Sequence, residues 1–361
     1  MTGPATARPT APPTPSDAPV APRRPRVVAL GGGHGLHSML GALRGLDADL
    51  TAVVTVADDG GSSGRLRREV PGIVPPGDLR MALSALAGDN ADGQLWARTF
   101  QHRFSGEGAL TGHPVGNIVL VGLMQILGDP VAALDAAAAM LQACGRVLPM
   151  AAQPLDIVAE VVGIDDDPTV LRQIRGQVAV ASTPGRVRSV RLEPPGAPAC
   201  AAAVTAIGAA DLVILGPGSW FTSVLPHLLV TELAAALMQT RAHRLVVLNL
   251  APQPGETEGF SPEQHLDVLS EHAPGFRIDT VLADRGAVAL PGRLEAATRR
   301  LGAALLLADV ATPGTPRHSP DALRAAVRPL VESAGSRPGA GDISAAGPGR
   351  DESRERAARW R

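Results

Sequence analysis

The sequence contains no tyrosine and no lysine: its 33 basic residues other than histidine are all arginine, and its aromatic side chains are five phenylalanines and three tryptophans. A groove that tracks nucleic acid needs a basic excess and stacking rings. With a formal charge of −2 and 2% aromatics this chain offers neither, so nucleic acid is set aside as a partner. Cysteine is almost missing as well. Cys144 and Cys200 stand far apart and form no C-x-x-C pair, so they read as small core residues in a reducing compartment. No apolar run approaches the ~20 residues that a membrane span requires. Arg23-Arg24 precede a short apolar stretch, but Gly31-Gly32-Gly33 ends it at once, so the expectation is a cytoplasmic protein without a signal peptide.

Glycine (40) and proline (33) are abundant instead, within a chain that is 45% hydrophobic and able to bury a sizeable core. Residues 1–24 are Pro, Ala, Thr and Ser without an apolar face, and residues 335–361 are Gly, Ser, Arg and acids; both segments are expected to be disordered. Residues 25–334 are expected to form a single α/β domain. Val27–Leu30 and Leu50–Ala57 read as strands buried on both faces, as in a parallel sheet. Asp211–Leu215 and Leu245–Leu250 repeat that character. Helices are expected near His37, over Asp78–Ala87, Gln94–Phe104, Asn117–Leu127 and Pro130–Cys144, and after a capping box at Ser261-Pro262-Glu263-Gln264. Asp156–Val162 and Val187–Leu192 read as strands of a middle insertion, expected to be antiparallel. The alternation argues for a Rossmann-like, mostly parallel, doubly wound sheet with a middle insertion. Such sheets bind ligands beyond the carboxyl ends of their strands, which directs attention to the turns there.

The first turn is Gly31-Gly32-Gly33-His34-Gly35, between a strand and a helix, where backbone N–H groups and the helix dipole can face a phosphate. It lacks the Lys-Ser/Thr of a Walker loop and the full spacing of G-x-G-x-x-G. On this reading Gly35→Val abolishes ligand binding and spares the fold. His34 and His37 stand three apart without a third ligand and read as polar contacts or caps. The second turn, Asp58-Asp59-Gly60-Gly61-Ser62-Ser63-Gly64, puts adjacent carboxylates at a strand end, able to hold a hydrated Mg²⁺, orient a hydroxyl or grip a ribose. The third, Gly216-Pro217-Gly218-Ser219, repeats the design of the first. Gly112-His113-Pro114-Val115-Gly116-Asn117 precedes an apolar helix, and His113 is the histidine most open to a functional role. The segment from Pro254 to Phe260 follows a strand ending in Asn249-Leu250 and completes the set.

The strings VALGGGHGL, TVADDGGSSGRLR, PPGDLR, GHPVGN, LGPGSWFTSVLP and NLAPQPGETEGFS, in that order over roughly residues 26–310, resemble the gluconeogenesis-factor family, the YvcK proteins with a CofD-like fold. That resemblance implies binding of UDP-N-acetylglucosamine by Gly31, Gly32, Gly33, His34, Gly35, Asp58, Asp59, Gly60, Gly61, Ser62, Asp78, Arg80, His113, Asn117, Gly216, Pro217, Gly218, Ser219, Asn249, Glu256 and Gly259. It implies a non-catalytic regulator of cell shape and peptidoglycan precursor supply on gluconeogenic carbon, without a required cofactor. It also implies a homo-oligomer and a cell-wall synthesis or regulatory protein as partner. Two departures stand out. His34 replaces an expected Thr, and Phe221 and Phe260 replace tyrosines, each with the loss of a hydroxyl. The alternative is a Mg²⁺-dependent 2-phospho-L-lactate-type transferase acting on a deazaflavin, with Asp58 and Asp59 at the metal. A third reading, an NAD-type oxidoreductase, lacks a hydride-transfer constellation.

Overall fold

The computed structural model describes residues 23–336 apart from Pro168 and Pro254, so most of both terminal segments lies outside the described residues. Among the described residues there are ten strands: β1 (Arg26–Gly31), β2 (Asp49–Val54), β3 (Gly145–Pro149), β4 (Asp156–Val162), β5 (Arg172–Arg175), β6 (Arg186–Glu193), β7 (Leu212–Leu215), β8 (His243–Val247), β9 (Thr280–Asp284) and β10 (Ala304–Ala308). Seven form one sheet in the order β10-β9-β8-β7-β1-β2-β3, and every pairing in it is parallel. Its inner strands are covered on both faces: β7 (LVIL) is apolar and buried at every position, and β9 (TVLAD) is buried throughout, its Thr280 and Asp284 included. At one edge β10 (ALLLA) is only partly covered.

The strand order fixes where a ligand can sit. From β1 the chain winds outward through β2 to β3, then returns to β7 on the other side of β1 and winds through β8 and β9 to β10. The order reverses between β1 and β7, and a crevice opens at such a switch point beyond the carboxyl ends of the strands. The expected insertion is also present. β4 pairs antiparallel with both β5 and β6 in a separate three-stranded sheet.

Several boundaries differ from expectation. The first helix begins at Gly33, not near His37, because Gly33 adopts φ +55 and turns the chain at once. The expected Pro130–Cys144 helix stops at Met140, and Gly145–Pro149 becomes edge strand β3. Gly61–Glu69 is helical, so the Gly-Gly-Ser-Ser segment opens a helix and is not an extended loop. Arg23 and Arg24, read as the end of the unstructured lead, form ion pairs with Asp211 and Asp47.

Candidate functional site

Thirty-one residues past the start, β1 ends in the glycine turn and the helix Gly33–Leu43 leaves from it. Gly32 is the N-cap and has no side chain with which to cap; the Gly33 N–H meets the Asp78 carboxyl from the helix Pro76–Ala85 instead. Each glycine has a different reason to be glycine. A Cβ on Gly35 would lie 2.1 Å from the Pro217 carbonyl oxygen, and one on Gly32 would lie 2.5 Å from Asp78 Oδ2. Nothing lies within 4 Å of where a Cβ of Gly33 would stand. The expectation that Gly35→Val spares the fold is therefore corrected. Gly35 is where the first and third turns pack together, and Gly33 is the open position.

The third turn is locked from within. Gly216 and Gly218 take φ +76 and +154, and the Gly216–Pro217 peptide is cis. Gly218 N–H donates to Asn249 Oδ1 at 3.0 Å, and Asn249 Nδ2 donates to Gln253. The Ser219 and Thr222 hydroxyls donate to the buried Glu256 carboxyl, at 2.5 and 2.8 Å to Oε1. Burial pushes that carboxyl up from its ordinary range, and the hydrogen bonds from Ser219 and Thr222 oppose the rise. Phe221 and Phe260 pack edge to face with centroids 6.4 Å apart, inside the core. Their missing hydroxyls lie away from the cleft described below. Gly259 adopts φ +77 in the same segment and is not among the residues that line it.

The adjacent carboxylates part company. Asp59 Oδ1 accepts the N–H of Val178, at the start of the short helix Gln177–Ala181, and so ties the sheet to the insertion. Asp58 turns inward: Oδ1 accepts Gly60 N–H at 2.9 Å, and Oδ2 would be 2.4 Å from a Cβ on Gly77. A further acid, Asp78, stands in the first turn of the helix Pro76–Ala85 and against Gly32. Burial raises the Asp78 carboxyl to about 7, the Asp58 charge adds to this, and the Gly33 N–H opposes it. Asp58 is also raised, mainly by burial, with the Asp59 charge adding to it. Asp78 thus joins the acids expected at 58 and 59.

Beside these acids lies a polar chain in the core. Ser62 Oγ is 2.7 Å from His113 Nδ1 and accepts Asn117 Nδ2–H at 2.9 Å; Arg80 Nε–H donates to Asn117 Oδ1 at 2.9 Å; a second Arg80 nitrogen donates to Gln101. Arg80, His113, Asn117 and Ser62 are all buried. Burial holds the His113 imidazole below its ordinary value, which fits Nδ1 accepting the serine proton. This chain is hydrogen-bonded from end to end and positions the second turn. Gly60 and Gly61 start the helix that carries it.

Beyond β1, β7 and β8 opens a cleft of about 890 Å³. Of the residues expected at a site, His34, Gly35, Pro217, Gly218 and Asn249 line it. Gly31, Gly32, Gly33, Asp58, Asp59, Gly60, Gly61, Asp78, Gly216, Ser219, Glu256, Gly259 and the Ser62–His113–Asn117–Arg80 chain do not; Asn249, which does, is held by its bond from Gly218. The cleft also takes His37, Ser38, Gln253, Thr312, Arg317 and His318. The last three follow β10, a strand absent from the expectation. A reading that had recognised ALLLA as a parallel strand would have placed the next loop at this same edge. Among the described residues there is no group of three His, Cys, Asp or Glu able to hold a metal, and no helix long and apolar enough to cross a membrane.

The model of the family described as 2-phospho-L-lactate transferase CofD matches residues 27–306. A Mycobacterium tuberculosis protein that carries the provisional name of gluconeogenesis factor is 58% identical over 304 residues, 83% of this chain and 88% of its own. The gluconeogenesis factor of Listeria monocytogenes is 39% identical over 259 residues, 72% of this chain and 77% of its own. A crystal structure of a UPF0052 family member from Bacillus halodurans superposes with a TM-score of 0.75 at 31% identity, covering 85% of this chain and 99% of that one.

Proposed function

The chain belongs to the CofD family and matches proteins named gluconeogenesis factors, and from that premise we propose that it binds UDP-N-acetylglucosamine as a gluconeogenesis factor. In this role it is a regulator that couples the supply of peptidoglycan precursor and cell shape to growth on gluconeogenic carbon. One observation carries the ligand class. The cleft lies at the β1/β7 switch point, lined there by His34 and Gly35 of the first turn of the Gly33–Leu43 helix and by Pro217 and Gly218 of the turn after β7. Its volume suits a nucleotide sugar. The test is titration calorimetry in EDTA, followed by chromatography of the nucleotide after long incubation. Saturable binding and recovery of intact UDP-N-acetylglucosamine are expected. Absence of binding would refute the ligand.

A second reading rests on Asp58 and Asp78. Two carboxylates with the Ser63 hydroxyl beside Asp58 fit one hydrated Mg²⁺ whose remaining positions belong to water and substrate phosphates. The metal would offset charge on a phosphoryl group in transfer. On this reading the two carboxylates hold the ion and the Gly33 turn orients the donor. Release of a nucleoside monophosphate that depends on Mg²⁺ and a deazaflavin acceptor would favour it over the regulator.

A further inference from the structure

The lining of the cleft is of two kinds. His34, His37 and Ser38, on the helix after β1, are polar. The segment after β8 contributes Leu250, Ala251 and Pro252, with Pro316 from the hairpin after β10, where Ala311 and His318 bridge antiparallel. A sugar needs partners for its hydroxyls, whereas a nucleobase needs flat apolar cover and few polar atoms at its edge. The apolar part therefore suits a base. Gln253 stands at the end of that apolar run, and it too lines the cleft. Its backbone is held on both sides: the N–H donates to the Thr257 hydroxyl at 2.9 Å, and the carbonyl accepts the Glu256 and Thr257 N–H groups at 3.2 and 3.0 Å. Thr257 is fully buried, so the turn that presents Gln253 is anchored in the core.

We propose that Gln253 selects the base of the ligand, donating its side-chain amide N–H to a carbonyl oxygen on the edge of uracil. The inference rests on the uridine nucleotide proposed above and adds what distinguishes its base. A relay of hydrogen bonds fixes which atom of the Gln253 amide faces outward. A backbone N–H can only donate, and the Gly218 N–H meets Asn249 Oδ1 at 3.0 Å. The other polar atom of Asn249 is therefore its amino nitrogen, which donates to Gln253 Oε1 at 3.3 Å. Gln253 is left with Nε2, a donor that has no acceptor among the described residues. Asn249, the residue expected to touch the ligand, thus has both polar atoms engaged and orients its neighbour. The relay starts in the turn after β7 and sets the Gln253 amide before any ligand arrives. Uracil carries a carbonyl oxygen where cytosine carries an amino group, so cytosine would bring a donor against this donor. A site built to pair with one such group rejects the analogue that leaves its polar atom unmatched.

The test measures wild type, Gln253→Glu and Gln253→Ala by calorimetry against UDP, CDP and UDP-N-acetylglucosamine. UDP and CDP carry the same phosphates, so the ratio of their affinities isolates the base. Wild type is expected to prefer UDP by about 10- to 100-fold, the scale of one unmatched polar group. Gln253→Glu keeps an acceptor for Asn249 and replaces the outward donor with an oxygen, so its ratio should fall by about tenfold or more, toward CDP. Gln253→Ala should bring the ratio close to unity. A wild type that does not distinguish the two nucleotides would overturn the assignment. So would an unchanged ratio in both variants, or a loss of UDP and CDP alike in both, which would make Gln253 a structural residue. If wild type selects UDP, the ratios fall as expected and UDP-N-acetylglucosamine does not bind, the base selection stands and the ligand proposed above falls. If UDP-N-acetylglucosamine binds and the ratios do not move, the ligand stands and Gln253 falls. If wild type takes none of the three, both fall.

Discussion

After β1 the chain turns through Gly31–Gly35 into a regular α-helix, and after β7 it turns through Gly216–Ser219 into a π-helical turn, Trp220–Val224. Both are glycine-rich, both follow a buried strand, and they touch at Gly35 and Pro217. The turn after β7 spends its polar groups on the segment after β8: Gly218 N–H on Asn249, the Ser219 and Thr222 hydroxyls on Glu256. In the turn after β1, a Cβ on Gly33 would face open space at φ +55, while its N–H meets Asp78. The difference separates two uses of glycine. One permits close packing of backbone on backbone, the other turns the chain at positive φ with space beside it, and what a Cβ would meet distinguishes them.

The largest expected effect comes from breaking the contact between the turns. Gly35→Val would force the Pro217 carbonyl away and cost several kcal/mol, a fall in melting temperature on the order of 10 °C or loss of soluble protein. An unchanged circular-dichroism melt would mean that the turns do not pack as described.

The next effect belongs to the acid beside the first turn. Asp78 titrates near 7 in the folded protein and near 3.8 in the unfolded chain. Between those values the native state holds a proton that the unfolded state has lost. This contribution to stability is therefore full below about pH 3.8, declines as pH rises, and is gone above about 7, an effect of at most on the order of 4 kcal/mol. Urea melts across that window should show the decline in wild type and a flatter profile in Asp78→Asn. Equal slopes in the two proteins would refute a proton on Asp78.

The smallest effect on the fold is expected at the open position. Gly33→Ala meets no neighbour but places a Cβ at positive φ, a cost of about 1–2 kcal/mol. A cooperative melt with only a modest fall in its midpoint, together with a clear loss of nucleotide affinity by calorimetry, would match this assignment. Loss of the fold with this single methyl would place Gly33 with Gly35 as a packing glycine.

Much of this architecture was legible in the sequence because buried parallel strands are short unbroken apolar runs, as in LVVLNL, and because Ser261 and Gln264 form the capping box that their spacing announces. β3 was hidden by the Ala-rich helix before it, whose composition gives no periodic break before Gly145. β9 was hidden because Thr280 and Asp284 flank only three apolar residues, and with the unread β10 went the hairpin that carries Arg317 and His318. At the site, the glycine turns were visible, but the partners of their side chains were not. The strand expected to run to Ala57 stops at Val54, and in the irregular segment that follows Asp59 reaches the insertion while Asp58 turns toward Gly60 and Gly77, contacts that adjacency in sequence does not reveal.

The central claim is that the β1/β7 switch point holds the nucleotide sugar. A crystal structure of the protein with UDP-N-acetylglucosamine tests it most directly. The account predicts the diphosphate within hydrogen-bond distance of backbone N–H groups at the start of the Gly33–Leu43 helix. A nucleotide seated elsewhere would contradict it, for example in the groove lined by Val204, Glu232 and Arg241 between the helices Ala201–Ala209 and Thr231–Gln239.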